Sequence, residues 1–188
     1  MQSHSASEAT NTGDASVKVT YSRGYALSAE IKNSGFEDGN AHWSPMRDIG
    51  ARDGIPTQQT SDPDLWRNPA YSHMGSNSVT FGSVDPAVLQ KLQYAEQLRT
   101  VPGKSYKLQF YLSNTAGAGG SADDGYYSAG KSFEVLWNGQ SVFTASKSVF
   151  PFTSQQVTVA GTGSDTLAFQ GYNIPWAYVL DDVSIGSA

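Results

Sequence analysis

The sequence predicts an all-β protein, one antiparallel β-sandwich with long loops, and three observations carry that prediction. Most informative segments alternate apolar and polar residues with period two, the signature of half-buried strands. Asn138-Gly139 lies between two such segments, and Asn-Gly is the strongest two-residue hairpin signal. Short strands separated by turn residues then recur to the end of the chain, the spacing of a sandwich rather than of alternating strands and helices.

In chain order, "ASVKVTYS" (15–22) and "SNSVTFGS" (76–83) read as strands. In the stretch 84–103, Asp85-Pro86 starts a short helical turn over 86–91, and alternation from Gln93 makes a strand from about 93. "SYKLQFYL" (105–112) sets Tyr106, Leu108, Phe110 and Leu112 against Lys107, Gln109 and Tyr111. "KSFEVLWNGQSVF" (131–143) is the hairpin, followed by strands in "QQVTVAG" (155–161), "DTLAFQGY" (165–172) and "WAYVLDDVSI" (176–185). Segments 40–72 and 114–130 read as long loops, where function concentrates.

A length of 188 residues suits one domain able to bury a core without staples. Residues 1–14 are polar and small and read as a disordered leader or cloning remnant, with the domain spanning 15–188. The net charge is −5, with no basic cluster, which argues against nucleic acid and anionic membrane surfaces. No apolar run is long enough to insert into a membrane. Cysteine is absent, which removes thiol catalysis, zinc–thiolate sites and disulfides together. A cysteine-free chain rich in Ser, Thr, Gly, Asn and Tyr suits an exported bacterial protein.

The last strand raises a question. Strict alternation in "YVLDDVSI" puts Asp181 beside Val179, Val183 and Ile185 on the core side, and Asp182 on the other. An isolated carboxylate against a core is expensive, so Asp181 needs a partner. Backbone N–H groups at a strand end could serve, and so could a cation.

Four stretches occur in a suggestive order: "NSGFEDGNAHW" (33–43), "EQLRTVPGKSYKLQFYLS" (96–113), "FEVLWNGQSV" (133–142) and "VLDDVSI" (179–185). Over roughly residues 30 to 186 the chain thereby resembles the jelly-roll carbohydrate-binding modules of the galactose-binding-domain-like superfamily, and related extracellular domains of bacterial surface proteins. The resemblance implies a jelly roll whose first and last strands are joined by a structural calcium. It carries over Glu37, in "GFEDG", and Asp181, the first carboxylate of "LDDV", as ligands, with Asn33 and nearby carbonyls completing the shell. It also places Trp43 in the core, and Trp137 is in phase with Phe133 and Val135.

Sugars present apolar CH faces and a rim of hydroxyls, so their binders combine aromatic platforms with planar polar side chains. Two regions supply both. The first is an outward sheet face carrying Gln109 and Tyr111, Gln170 and Tyr172, Trp176 and Tyr178, joined by Gln97 and Arg99. The second is the loop end, with Trp66, Tyr71 and His73, and with Tyr126 and Tyr127 beside Asp123-Asp124. Exposed tyrosines are also ordinary strand formers, which is the structural alternative at each position.

Catalytic readings find little support. No G-x-S-x-G, P-loop or H-E-x-x-H motif is present. Asp181 and Asp182, expected on opposite faces, do not form the facing carboxylate pair of a glycosidase. The expectation is a non-catalytic, extracellular or cell-surface module that binds a polysaccharide or glycan, tethered to a larger surface protein or self-associating. An adhesive or matrix domain binding protein or itself is the alternative, and a polysaccharide hydrolase or lyase a minor one.

Overall fold

The computed structural model describes residues 29–51, 61–82, 88–115, 131–145, 148–173 and 177–188. Eleven strands form over them: β1 (Trp43–Ser44), β2 (Arg47–Asp48), β3 (Asp64–Arg67), β4 (Asn77–Phe81), β5 (Gln90–Tyr94), β6 (Ser105–Thr115), β7 (Lys131–Trp137), β8 (Gln140–Thr144), β9 (Phe150–Ala160), β10 (Leu167–Asn173) and β11 (Ala177–Ser187). One sheet has five strands in the order β1-β5-β10-β7-β8, the other six in the order β2-β3-β4-β11-β6-β9. Neighbours pair antiparallel except β2 with β3. This is the expected all-β jelly-roll sandwich. Among the described residues no helix is long and apolar enough to cross a membrane.

The core between the sheets is built from the in-phase residues. Tyr106, Leu108, Phe110 and Leu112 of β6 point into it, as their alternation requires, and meet Phe133, Val135, Leu167 and Phe169 from the other sheet. Aromatic edges pack on aromatic faces throughout: Phe81 on Phe133 at 5.2 Å, Phe110 on Phe169 at 5.6 Å, Trp43 on Tyr94 at 5.0 Å. Trp43 and Trp137 are both buried, the second donating its indole N–H to the Ala160 carbonyl (3.0 Å).

The Asn138-Gly139 hairpin forms, with φ of +53° and +77°, the left-handed pair that such a turn demands. Its Asn also knots loops together. Asn138 Nδ2 donates to Asp165 Oδ1 (2.6 Å), and its Oδ1 accepts from Thr166 N–H (2.8 Å). Asp165 is fully buried and further accepts from Thr162 N–H (3.0 Å), Thr162 Oγ1 (2.6 Å) and Thr100 Oγ1.

Several expectations need correction. Residues 90 and 91 belong to strand β5, not to a helical turn. Gln90, Leu92 and Tyr94 are buried while Lys91 and Gln93 are exposed, so period two wins over the helix-start signal. Segment 40–72 is not simply loop, because its described part contains β1, β2, β3 and a 3₁₀ turn at Pro69–Tyr71. β9 begins at Phe150, five residues before the expected strand, because it is an edge strand and tolerates Pro151. The 15–22 strand, the 1–14 leader and the loop residues 116–130 lie outside the described residues.

The largest correction concerns β11. Its pairing with β6 shifts between Asp181 and Ser184, a β-bulge at which Asp182 takes φ +48°. The extra residue inverts the alternation. Tyr178 and Leu180 face the core before the bulge and Val183 after it, with Ile185 packed alongside. Val179 and Asp181 therefore lie on the outer face, and Tyr178, expected outside, packs on Phe133 at 5.3 Å.

Candidate functional site

The outer face of the six-stranded sheet is half covered. Residues 68–76 fold back over β3, β4 and β11: Tyr71 stacks on Trp66 (4.1 Å, 19°), and Ser78 Oγ donates to the Tyr71 carbonyl (3.1 Å). Trp66 is thereby completely buried, so it cannot stack on a sugar as expected. The sequence gives no sign of this second small layer, because Trp66 sits in a segment too short for a periodicity to show.

This cover explains Asp181. Its Oδ2 accepts from the N–H groups of His73 (2.8 Å) and Met74 (3.3 Å), and its Oδ1 from Asp182 N–H (2.8 Å). Glu37 holds the other end of the same loop, its Oε1 accepting from Ser76 N–H (2.7 Å) and Asn77 N–H (2.9 Å). Gly75, at φ +69°, admits this contact, since a Cβ there would stand 2.2 Å from Glu37 Oε1. Burial, and secondarily Asp182, push the Asp181 carboxyl up to about 7 despite the three N–H donors. Asp182 does not point away from Asp181 as expected. At the bulge it turns its Oδ2 to His73 Nδ1 (2.6 Å) and is only partly exposed.

Glu37 and Asp181, from opposite ends of the chain, thus close on one loop through N–H donors. Asn33 does not join them. Its Nδ2 donates to the carbonyls of Gly39 (3.0 Å) and Ala41 (2.9 Å), its Oδ1 accepts from Asp38 N–H (2.9 Å), and its carbonyl accepts from the Trp43 indole (3.0 Å). Calcium takes about six to eight oxygens. As arranged, this trio is not such a shell, and among the described residues no group of three or more His, Asp or Glu is disposed to hold a metal.

The uncovered part of this face carries Gln109 and Tyr111. The Tyr111 ring is stacked against His73 (3.5 Å, 13°), which Phe152 meets edge-on at 5.8 Å, and Gln156 Nε2 donates to Gln109 Oε1 (2.9 Å). One face of the tyrosine is already occupied.

Gln170 and Tyr172 are elsewhere, on the outer face of the five-stranded sheet. The two halves of the expected stripe are back to back, separated by the core, because β6 and β10 belong to different sheets. On this second face the register aligns Lys91, Gln170 and Glu134 across β5, β10 and β7. Gln170 Nε2 reaches Glu134 Oε2 at 3.4 Å. The adjacent rows hold Gln93, Ala168 and Leu136 on one side and Tyr172 with Ser132 on the other. Along β5 runs an open groove of about 460 Å³, walled by Pro45 and Asp62 and floored by Leu89, Lys91 and Gln93. Gln97 and Arg99 stand apart, flanking buried Leu98, and Ser164 Oγ donates to Gln97 Oε1 (2.6 Å).

Lys91 and Gln93 were missed from the sequence as site residues, and Glu134 was weighed only as a conceivable acid partner of Asp123 or Asp124 in a glycosidase cleft. Lys91 was hidden by the helix reading of 86–91, and Gln93 was read only as the start of a strand, although both alternate with Leu92 and Tyr94. Glu134 alternates with core Phe133 and Val135 and was legible as outward-facing. Trp176, Tyr126 and Tyr127 lie outside the described residues, as do Asp123 and Asp124.

The fold is a jelly-roll sandwich. No protein-family model and no curated protein sequence matches the chain. Solved structures do. A family 61 carbohydrate-binding module in complex with β-1,4-galactotriose superimposes with a TM-score of 0.52 at 13% identity, over 84% of this chain and 97% of that one. A Clostridium thermocellum endo-1,4-β-D-xylanase fragment with a family 22 module, complexed with xylohexaose, gives 0.52 at 12% identity over 85% of this chain and 29% of that one. The enzymatically active domain of bacteriophage CBA120 tailspike protein 4 gives 0.55 at 12%, over 86% of this chain and 22% of that one. At such identities the likeness concerns the fold.

Proposed function

We propose that the protein is a non-catalytic carbohydrate-binding module that holds a polysaccharide on the outer face of its five-stranded sheet, outside the cell. The observation that carries the reading is the groove along β5, opening beside the row Lys91–Gln170–Glu134 with Tyr172 on the same face. Amides and opposed charges in register read hydroxyl orientation, and the exposed part of Leu89 and the tyrosine ring accept CH faces. The oligosaccharides bound by the structural neighbours agree with this chemistry. Binding of this kind is weak per site and gains strength from tethering or repetition.

The calcium that the resemblance implies would be structural and apart from the recognition face, since Asp181 belongs to the other sheet. Were the ion present, Glu37 and Asp181 would hold it, at the expense of the loop N–H groups they now accept.

Native electrophoresis through gels containing soluble polysaccharides tests the reading, run with calcium and with chelator. Retardation by one glycan class is expected, lost in Gln170→Ala with Tyr172→Ala and kept in Tyr111→Ala. Retardation that survives the first pair and disappears with the second variant would move the site to the opposite face. No retardation in any gel would reject carbohydrate binding.

A further inference from the structure

A sandwich has two sides along which its sheet edges lie open, and here the two are built differently. On one side the edge strands are β1 and β2, each of two residues. Pro45 follows β1, and β2 consists of Arg47 and Asp48, which pair with Asp64 and Arg67 respectively. Very short strands, proline and charge are the devices that keep a sheet edge from pairing with another chain.

The other side lacks most of these guards. Its edges are β8 and β9, and neither strand contains a charged residue. The 27 residues from Asn138 to Ser164 contain one charge, Lys147, where the chain's 15% would place about four. β9 is long, eleven residues, and pairs with β6 on one side only; among the described residues no strand pairs with its other edge. Pro151 withholds one N–H near its start, leaving a ladder from Phe152 to Ala160. Between β8 and β9 opens a cleft of about 350 Å³ that leaves Phe143 and Phe150 incompletely covered.

We propose that this edge is a self-association site: β9 pairs antiparallel with β9 of a second copy about a twofold axis, joining two six-stranded sheets into one. The occupant follows from charge. Each molecule carries −5 and repels its copies in most orientations, whereas the β9 edge brings no like charges together. A strongly charged partner finds nothing complementary on this edge. A strand crossing its own copy makes an isologous contact, in which one residue near the axis faces its own equivalent and Ser154, Gln156 and Thr158 supply uncharged, hydrogen-bonding cross-strand pairs around it. Such an assembly presents two copies of the five-stranded face.

Sedimentation velocity over a range of concentrations tests the proposal. The wild-type protein should approach twice the mass of one chain, and Ser154→Lys with Thr158→Lys, both exposed positions, should return it to a monomer with an unchanged melting temperature. Because the chain has no cysteine, single substitutions report geometry directly. Under mild oxidation, one of Ser154→Cys, Gln156→Cys and Thr158→Cys should form a disulfide-linked dimer, and Glu30→Cys, away from this edge, should not. A wild-type monomer at every concentration overturns the proposal. So does a dimer that persists in the double lysine variant, or equal cross-linking at Glu30→Cys. Glycan retardation is read on another face, so each reading can fail while the other stands.

Discussion

Raising the pH from 5 to 8 should destabilise this protein, a trend opposite to acid denaturation, and Asp181 is the cause. Its carboxyl lies at about 7 in the folded state against 3.8 in an unperturbed chain, first because it is buried and second because Asp182 is adjacent. Between those values the folded protein keeps a proton that the unfolded chain has released. The associated stability is complete below the unfolded value and is lost as pH climbs through 7. The full gap of roughly three units corresponds to about 4 kcal/mol, of which about 2.6 kcal/mol is lost between pH 5 and 8. At this chain length that is about 5–10 °C in melting temperature. Other shifted carboxylates act at lower pH and with the opposite sign. Glu96 is held down by Lys32 and His42, and Asp48 by Arg67. At Asp165 burial is outweighed by bonds from Asn138, Thr100 and Thr162. Thermal melts by circular dichroism from pH 5 to 8, with chelator present, should therefore show the fall in the wild type and a nearly level profile in Asp181→Asn, whose amide carbonyl still accepts from the loop. A wild-type profile that is level or rising would refute the reasoning. It would mean a carboxylate ionised across the whole window, as a bound cation would keep it, and calcium added back should then raise the melting temperature by several degrees.

Three further outcomes follow from the packing. Asp165→Ala leaves the donors of Thr100, Thr162 and Asn138 without their acceptor and should cost about 3 kcal/mol in urea unfolding, with Asp165→Asn costing less. Gly171→Ala drives a Cβ to 2.6 Å from the Ser132 carbonyl, a backbone atom that cannot swing aside, and should cost about 2 kcal/mol by the same assay. Trp66→Ala should cost about 3–5 kcal/mol while the folded fraction is retarded in polysaccharide gels as before, since that ring is core and not platform.

The strands with the clearest signals were legible. β6 alternated without interruption over eight residues, and the β7–β8 hairpin showed alternation together with Asn138-Gly139. The inward faces of both came out as read. The first half of β5 was obscured because Asp85-Pro86 imitates a helix start, and with it went Lys91, which lines the groove beside Gln93. β11 was found as a strand but turned the wrong way, because a bulge adds one residue without changing the residue types around it; a strict period-two reading then assigns Tyr178 and Asp181 to each other's faces. The candidate site suffered most. Alternation says that Tyr111 and Tyr172 both face outward, and both do, but it says nothing about which sheet each strand joins. That pairing is decided by contacts far apart in sequence, and it places the two rings on opposite sides of the molecule.

The position of β11 also determines how the molecule would bear mechanical load. It runs between β4 and β6 inside the six-stranded sheet, registered against β6 at nine residue pairs. Tension applied to residues 186–188 acts along the axis of this strand, so its bonds to both neighbours are sheared side by side and share the force. An edge strand pulled outward would instead be unzipped one pair at a time. Load entering through residues 186–188 is thereby borne by a strand in the interior of the sheet.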